Sequence, residues 1–413
     1  MRKTIIFSQT FPYGGETFLQ AEIELLPNGW DVDIWPFVPP KGGSASFVLK
    51  DGITVHPILQ AYSLSAKGRA ILCSLRAFIS RGEWKYACQK RHAVRNILKA
   101  IKFAYISELR VGNVAAWLRA EKAEVEHLVF YAYWMYETAY VAARLKELMP
   151  GSKFVTRCHG YDLYEERHPN EYVPYRRMIL AAADLICPVS QKGKDYLSAR
   201  YQGKYDFKIE VMRLGTMRRI APSNNEKDSK TVIVSCSNLI PLKRVEKIID
   251  ALACSKRELS WYHFGDGPLR MALEKQSKSL PANIEAHFMG FIPNENVQEF
   301  YATHTVGAFL NVSESEGVPV SIMEAQSYGI PVIATDVGGT AEIVHDRQNG
   351  VLLDSDFSSE DLLRALEIVL NNREAMGKKA VEIWETKSDA RETTRQFYER
   401  LEGLEGEECR DFL

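Results

Sequence analysis

The sequence predicts an α/β protein made of two successive domains, each a doubly wound parallel sheet. Three observations carry this. The chain has 413 residues, 46% of them hydrophobic, which is more than one ordinary core needs. It opens with the order strand, glycine turn, helix, strand. A polar break past the midpoint is followed by a second opening of the same kind.

Residues 4–7 are apolar and fit a buried strand, Pro12-Tyr13-Gly14-Gly15 a turn, 16–26 a helix and 32–37 a second strand. Residues 67–105 are expected to be helical and basic. They carry Lys67, Arg69, Arg76, Arg81, Lys85, Lys90, Arg91, Arg95, Lys99 and Lys102 against the single acid Glu83, with Phe78, Trp84, Tyr86 and Phe103 between them. Strands are then expected at 127–132, 153–157, 185–189 and 208–213. The polar stretch 220–230 is expected to be an interdomain linker. Beyond it, strands are expected at 231–235, 261–264, 284–288, 306–310 and 331–335, with helices between them. The division is therefore a first domain over 1–219, a linker, a second domain over 231–389, and a charged helix over 390–413 that packs back toward the first domain. The two domains should face each other across a cleft, with ligands at the carboxyl ends of their strands.

Composition excludes several partners. The formal net charge is -1, so nothing global calls for nucleic acid, and none is expected. The seven cysteines are odd in number and include no CxxC pair. Reduced thiols in a cytoplasmic protein fit that pattern better than a disulfide framework or a zinc site. The apolar run Ile5-Ile6-Phe7 is too short for a signal sequence, and no run is long enough to cross a bilayer. The basic stretch 67–102 would suit docking on an anionic membrane surface, such as the inner face of the plasma membrane. The ordinary alternative is a solvated helical face.

The densest chemistry lies in Glu316-Gly317-Val318-Pro319-Val320-Ser321-Ile322-Met323-Glu324. A strand ending near Asn311 runs into a polar loop. Pro319 stands where a first helical residue would, as its fixed φ favours. A helix should follow to about Ser327. Its free N–H groups and positive end can hold a diphosphate. A carboxylate at Glu316 and another at Glu324 could accept hydroxyl donors on either side of that diphosphate. On spacing alone, two solvated acids around a helix start are the commoner situation.

The stretch resembles the glutamate-x7-glutamate motif of the retaining GT4 glycosyltransferases, which have the GT-B fold of two Rossmann-like domains. It continues in the family's manner through Gly329-Ile330-Pro331, Gly338-Gly339, Glu342 and Asn349-Gly350. Asn238 to Arg244 is similar to the family's phosphate-binding segment, and Phe264-Gly265-Asp266-Gly267 to its glycine turn. Gly290-Phe291-Ile292 is similar to the loop facing the base, Gly14-Gly15 to the N-terminal glycine loop, and Arg157-Cys158-His159-Gly160 to the histidine segment of bacterial polysaccharide members. The resemblance implies a nucleotide-sugar donor and a glycan or lipid-linked acceptor bound by the first domain. It also implies retention by same-face attack, with the leaving phosphate taking the acceptor proton.

Residue roles follow from the same resemblance. Lys243, with help from Arg244, would neutralise the departing nucleoside diphosphate. Glu316 would bind donor-sugar hydroxyls and Glu324 the ribose. Gly317, Val318, Pro319, Val320 and Ser321 would offer backbone, and His159 would contact the sugar. One departure is clear. Asn238 stands where the family places an arginine, and Arg157 is the candidate to supply the missing charge. Asp31-Val32-Asp33 and Asp354-Ser355-Asp356 mimic a metal-binding DxD, but neither has a histidine or further acid nearby in sequence, and no metal or other cofactor is expected. The alternatives are a nucleotide-sugar epimerase on the same fold, which would need further acid–base carboxylates, and an inactive sugar-nucleotide-binding scaffold.

Overall fold

A computed structural model describes residues 2–13, 16–38, 50, 52–56, 62–205, 207–223 and 230–406. The chain forms two compact units, Met1–Met212 with Thr394–Leu413, and Arg213–Thr393. Each is built on one parallel sheet, as the sequence predicts.

The first unit's strands are β1 (Arg2–Ser8), β2 (Trp30–Pro36), β3 (Ile53–Val55), β4 (Leu128–Ala132), β5 (Lys153–Cys158), β6 (Leu185–Pro188) and β7 (Lys208–Ile209). Their order is β3-β2-β1-β4-β5-β6-β7. Thr4 to Phe7 are buried throughout, as a parallel strand covered on both faces requires. In register, Ile5 lies beside Asp33 on one side and Phe130 on the other. Two strands differ from expectation. Ile53–Val55 was not anticipated, being three residues long with no alternation to read. The strand expected over 208–213 is assigned only at Lys208–Ile209, although Glu210 and Met212 still donate to Ile186 and Pro188.

The basic region is three helices, Leu64–Ser80, Glu83–Gln89 and Ala93–Ala120. The breaks fall at Gly82 and His92, which both take left-handed backbone, at φ 65° and 57°. Three of the four aromatics interleaved with these cations turn inward. Tyr86 and Phe103 are core, Phe78 packs against it, and only Trp84 is exposed.

Arg157 organises the unit's centre. Its guanidinium is buried and pairs with Glu22 at 2.9 Å, while Nε donates to the Tyr131 hydroxyl and Nη1 to the Met212 carbonyl. Phe397, on the helix Ala390–Gly406, lies 4.1 Å beneath it. Tyr398 of the same helix approaches Glu22 at 3.5 Å. The charge proposed as a replacement at Asn238 is therefore held by a structural ion pair, because a buried guanidinium needs its partners where it sits.

The second unit's strands are β8 (Thr231–Cys236), β9 (Leu259–Phe264), β10 (Ile284–Gly290), β11 (Val306–Asn311), β12 (Val332–Thr335) and β13 (Gly350–Leu353). Their order is β10-β9-β8-β11-β12-β13. The unit begins at Arg213, ahead of the polar stretch. Arg213 pairs with Glu342 at 2.8 Å, Thr216 accepts from the Trp384 indole at 2.9 Å, and Ser223 donates to Ala302 at 2.8 Å. Residues 224–229 of the expected linker lie outside the described residues. No helix among the described residues is long and apolar enough to cross a membrane.

Strand order reverses between β1 and β4 in the first unit, and between β8 and β11 in the second. At such a point the two following loops diverge and leave a crevice at the strands' carboxyl ends. Both crevices have polar side chains around them.

Removing Glu22 would leave the Arg157 charge buried without its partner. Glu22→Ala is expected to destabilise the first unit by about 3–5 kcal/mol, and Glu22→Gln by less. Thermal and urea unfolding of the three proteins would measure this.

Candidate active site

In the second unit, the loop after β8 climbs to a single 3₁₀ turn, Pro241–Lys243. The loop after β11 carries Ser313 to Pro319. The two are joined by backbone, since Glu314 N–H donates to the Leu242 carbonyl at 2.9 Å. They are also joined by charge. Lys243 Nζ lies 2.6 Å from Glu316 Oε1, with Asn311 Nδ2 at 3.4 Å from the same oxygen. The two residues expected to act on opposite parts of one donor are thus an ion pair at the reversal of strand order.

The helix Val320–Ser327 follows. Pro319 is its N-cap rather than its first helical residue, and no side chain caps the first turn. Ile322 and Met323 already donate to the Pro319 carbonyl. The N–H groups of Val320 and Ser321 are therefore the ones placed to meet a ligand.

The loop after β12 closes the arrangement. Gly339 N–H donates to the Gly317 carbonyl at 2.6 Å. Gly338 has φ +56°, and a Cβ there would overlap the Glu316 carbonyl oxygen. Thr335 adds a hydrogen bond to the Ser313 carbonyl at 2.6 Å. Backbone thus meets backbone where a side chain could not fit.

Glu324 is buried one helical turn further in. Burial pushes its carboxyl up to about 7, against the opposing pull of the Asn294 amide, which donates to it at 2.8 Å, and of the Arg219 charge. Asn294 is itself held. Gln298 Nε2 donates to Asn294 Oδ1 at 2.8 Å, and Gln298 Oε1 accepts from the Tyr328 hydroxyl and from Arg219 N–H, both at 3.0 Å. This relay fixes the direction of one carboxylate. Sequence reading missed Asn294, Gln298 and Asn311. Asn294 opens a helix and Asn311 ends a strand, where amides are common anyway, and Gln298, in the second turn of Asn294–Thr303, gives no signal of its own.

Arg244 differs from its expected part. Its φ is +49°, and its guanidinium donates to the carbonyls of Val312, Ser313 and Ser355. It braces the loop after β11 against the segment following β13. Asn238 is exposed in the loop after β8. Gly290 has φ +71° and accepts from Gly265 N–H at 2.9 Å, and Phe291 beside it is exposed.

In the first unit, Gly14 and Gly15 lie outside the described residues. The residue after them has an unanticipated task. Glu16 is buried and its carboxylate accepts from the N–H groups of Gln9, Thr10 and Phe11, and from the Trp134 indole at 2.6 Å. Trp134 lies 4.4 Å from His159, which Tyr133 and Phe18 also flank. Asp162 accepts from the His159 backbone N–H and from Met135 N–H, each at 2.8 Å. Those bonds and the imidazole hold its carboxyl below the usual range despite burial, the largest single influence, which acts in the other direction. Neither His159 ring nitrogen has a hydrogen-bond partner among the described residues, though Asp162 Oδ2 is 3.6 Å from Nδ1. Asp33 of the first DxD look-alike is buried, paired with Lys3 at 2.9 Å and within 2.6 Å of the His56 ring Nε2.

Two parallel-sheet units, each with polar groups at its reversal of strand order, make up the GT-B fold. Residues 216–383, nearly the whole second unit, match the family model described as glycosyl transferases group 1. The chain is 26% identical over 382 residues to the Escherichia coli K12 protein provisionally named colanic acid biosynthesis glycosyltransferase WcaL, covering 85% of this chain and 86% of that one. Its fold is that of the sucrose-phosphate synthase of Thermosynechococcus elongatus (TM-score 0.72, 15% identity, 98% and 99% coverage). The Anabaena protein HepE, solved in complex with UDP, shares it too (TM-score 0.66, 16% identity, 98% and 100% coverage).

Two outcomes test the geometry. A carboxyl raised on folding stabilises the protein fully below its unfolded value, and that contribution is lost as pH rises through the folded one. Glu324→Gln, neutral at every pH, should therefore unfold later than wild type at pH 8, by roughly 1–3 kcal/mol, and nearly equally at pH 4.5. Gly338→Ala should displace Glu316 and Gly317 and lower nucleotide affinity by about tenfold or more, which calorimetric titration would read.

Proposed function

We propose that this protein is a retaining GT4 glycosyltransferase of the cytoplasm. It would move a sugar from a UDP- or GDP-sugar to a glycan or lipid-linked acceptor in cell-surface polysaccharide synthesis, without a metal. The observation that carries the reading is the Lys243–Glu316 pair, 2.6 Å apart beside an uncapped helix start at the second unit's reversal of strand order. HepE's complex with UDP and the naming of the WcaL relative for colanic acid synthesis support the donor and the pathway class.

The chemistry follows from charge. The diphosphate lies on the N–H groups of Val320 and Ser321, and Lys243 turns from Glu316 to its oxygens. Glu316, released, accepts hydroxyls of the donor sugar. The bond from the anomeric carbon to the phosphate oxygen breaks, and its electron pair stays on the nucleoside diphosphate. The acceptor oxygen bonds that carbon from the same face and gives its proton to the leaving phosphate oxygen. Negative charge grows on the diphosphate in this step, and Lys243 with the helix end stabilises it. Glu324, aimed by Asn294, accepts the ribose hydroxyls, and Phe291 borders the base.

Thermal-shift measurements with UDP, GDP and ADP, on wild type and Glu324→Ala, give the first test. One nucleotide at a hundredfold excess over its Kd should stabilise wild type by about 2.7 kcal/mol and the variant much less. Lys243→Ala should lower kcat for the matching nucleotide sugar by about 10²–10³-fold. Slow hydrolysis of that donor should release sugar with its anomeric configuration kept, read by proton NMR. Inverted product would remove the retaining assignment. A C2 epimer would make the protein an isomerase, and binding without any turnover an inactive scaffold.

A further inference from the structure

The helix Leu64–Ser80 is built inside out. The face it turns to the protein holds small residues, with Ala70, Ser74 and Ala77 buried. At 100° per residue, Leu64, Ile71, Leu72, Leu75 and Ile79 fall within one arc of about 100°, far from that buried face. All five are exposed, Leu64 at 86%, Leu72 at 69% and Ile79 at 67%. A helix that only covered a core would show the reverse, with large aliphatic residues inside and polar ones outside.

The stripe has charged borders. Arg69 and Arg76 lie along one side and Lys67 along the other, all exposed. The next helices extend the pattern. Trp84 is exposed with Lys85 Nζ 5.4 Å from its ring. On the helix Ala93–Ala120, Val94 and Leu98 are exposed one turn apart, beside the exposed Arg91, Arg95 and Lys102. The one acid among these residues, Glu83, is buried and accepts from Tyr172 and from the Tyr175 N–H.

We propose that this face of the first unit docks on the surface of an anionic lipid bilayer, the helix Leu64–Ser80 lying in the plane of the headgroups with its aliphatic stripe among the acyl chains. Charge decides the occupant. An isologous pairing of two copies through this patch would set like charges against one another. A bilayer with anionic headgroups satisfies both components together, with the cations at the phosphate level and the apolar side chains below it. The inference is independent of the nucleotide site, since it uses none of its residues.

Co-sedimentation of the full-length protein with vesicles tests it. The protein should bind phosphatidylcholine vesicles carrying phosphatidylglycerol at about 30% and not pure phosphatidylcholine. The double variant Leu72→Gln with Ile79→Gln keeps every charge and touches no core residue. Its binding should fall by about tenfold, as should that of Arg69→Glu with Arg76→Glu. Circular dichroism and nucleotide-induced thermal shifts should match wild type in both. Three results would overturn the proposal: no binding at low salt, binding insensitive to the apolar pair, or a wild-type dimer in light scattering that Leu72→Gln with Ile79→Gln converts to monomer. The second would mean loose electrostatic adsorption, and the third that the stripe is a contact between copies.

Discussion

The close approach of the Gly338-Gly339 backbone to the Glu316-Gly317 backbone sets the position of nearly every group in the second unit's site. It binds the loop after β12 to the loop after β11. With that loop fixed, Glu314 can hold the turn after β8 through Leu242, and Lys243 falls within reach of Glu316. Three loops from three strands are thereby located by main-chain contacts, which do not depend on flexible side chains. Arg244 adds a brace from a fourth direction by donating to carbonyls on both sides. Such positioning matters because electrostatic stabilisation is effective only when the charges are in place before the reaction.

The site carries an energetic cost within the same unit. Glu324 sits where burial raises its carboxyl to about 7, so from neutral pH upward its ionisation costs the folded protein stability relative to the unfolded chain. The Asn294–Gln298–Tyr328 relay offsets part of this and fixes the carboxylate's direction. Burying an ionisable group to bind a polar ligand is a recurrent exchange of stability for affinity. The Lys243–Glu316 pair works differently. Each partner meets the other's charge at 2.6 Å, so neither is left alone.

The first unit places its polar groups by the same means with other residues. The buried Arg157–Glu22 pair links β5 to the helix Thr17–Glu24, and the aromatic residues Phe397 and Tyr398 lie against it. Glu16 gathers three successive N–H groups before it and the Trp134 indole, and Trp134 stands beside His159. A carboxylate that accepts several backbone donors fixes a loop more firmly than turn chemistry alone. Residues 9–11 are thus tied to the start of the helix Thr17–Glu24 by an acid that reads, in sequence, as an ordinary helix start.

The succession of strands and helices along the chain, the doubling of the α/β pattern and the identity of the main ionic residues were legible because they are local. Apolar runs, glycine turns and the spacing from Glu316 to Glu324 are written in consecutive residues. The sequence alone thus determined that two parallel sheets form, and which loop carries the acids. It did not determine what each cation does. Arg157, Arg244 and Lys243 look alike in a chain, yet one is buried in a structural pair, one braces carbonyls and one faces Glu316. Nor did it reveal Asn294 behind Glu324, thirty residues away, or the outward turn of Leu72 and Ile79. Those assignments depend on which side chains meet across distant segments, and only the tertiary structure, by bringing β8, β11 and β12 to one edge, decides who the partners are.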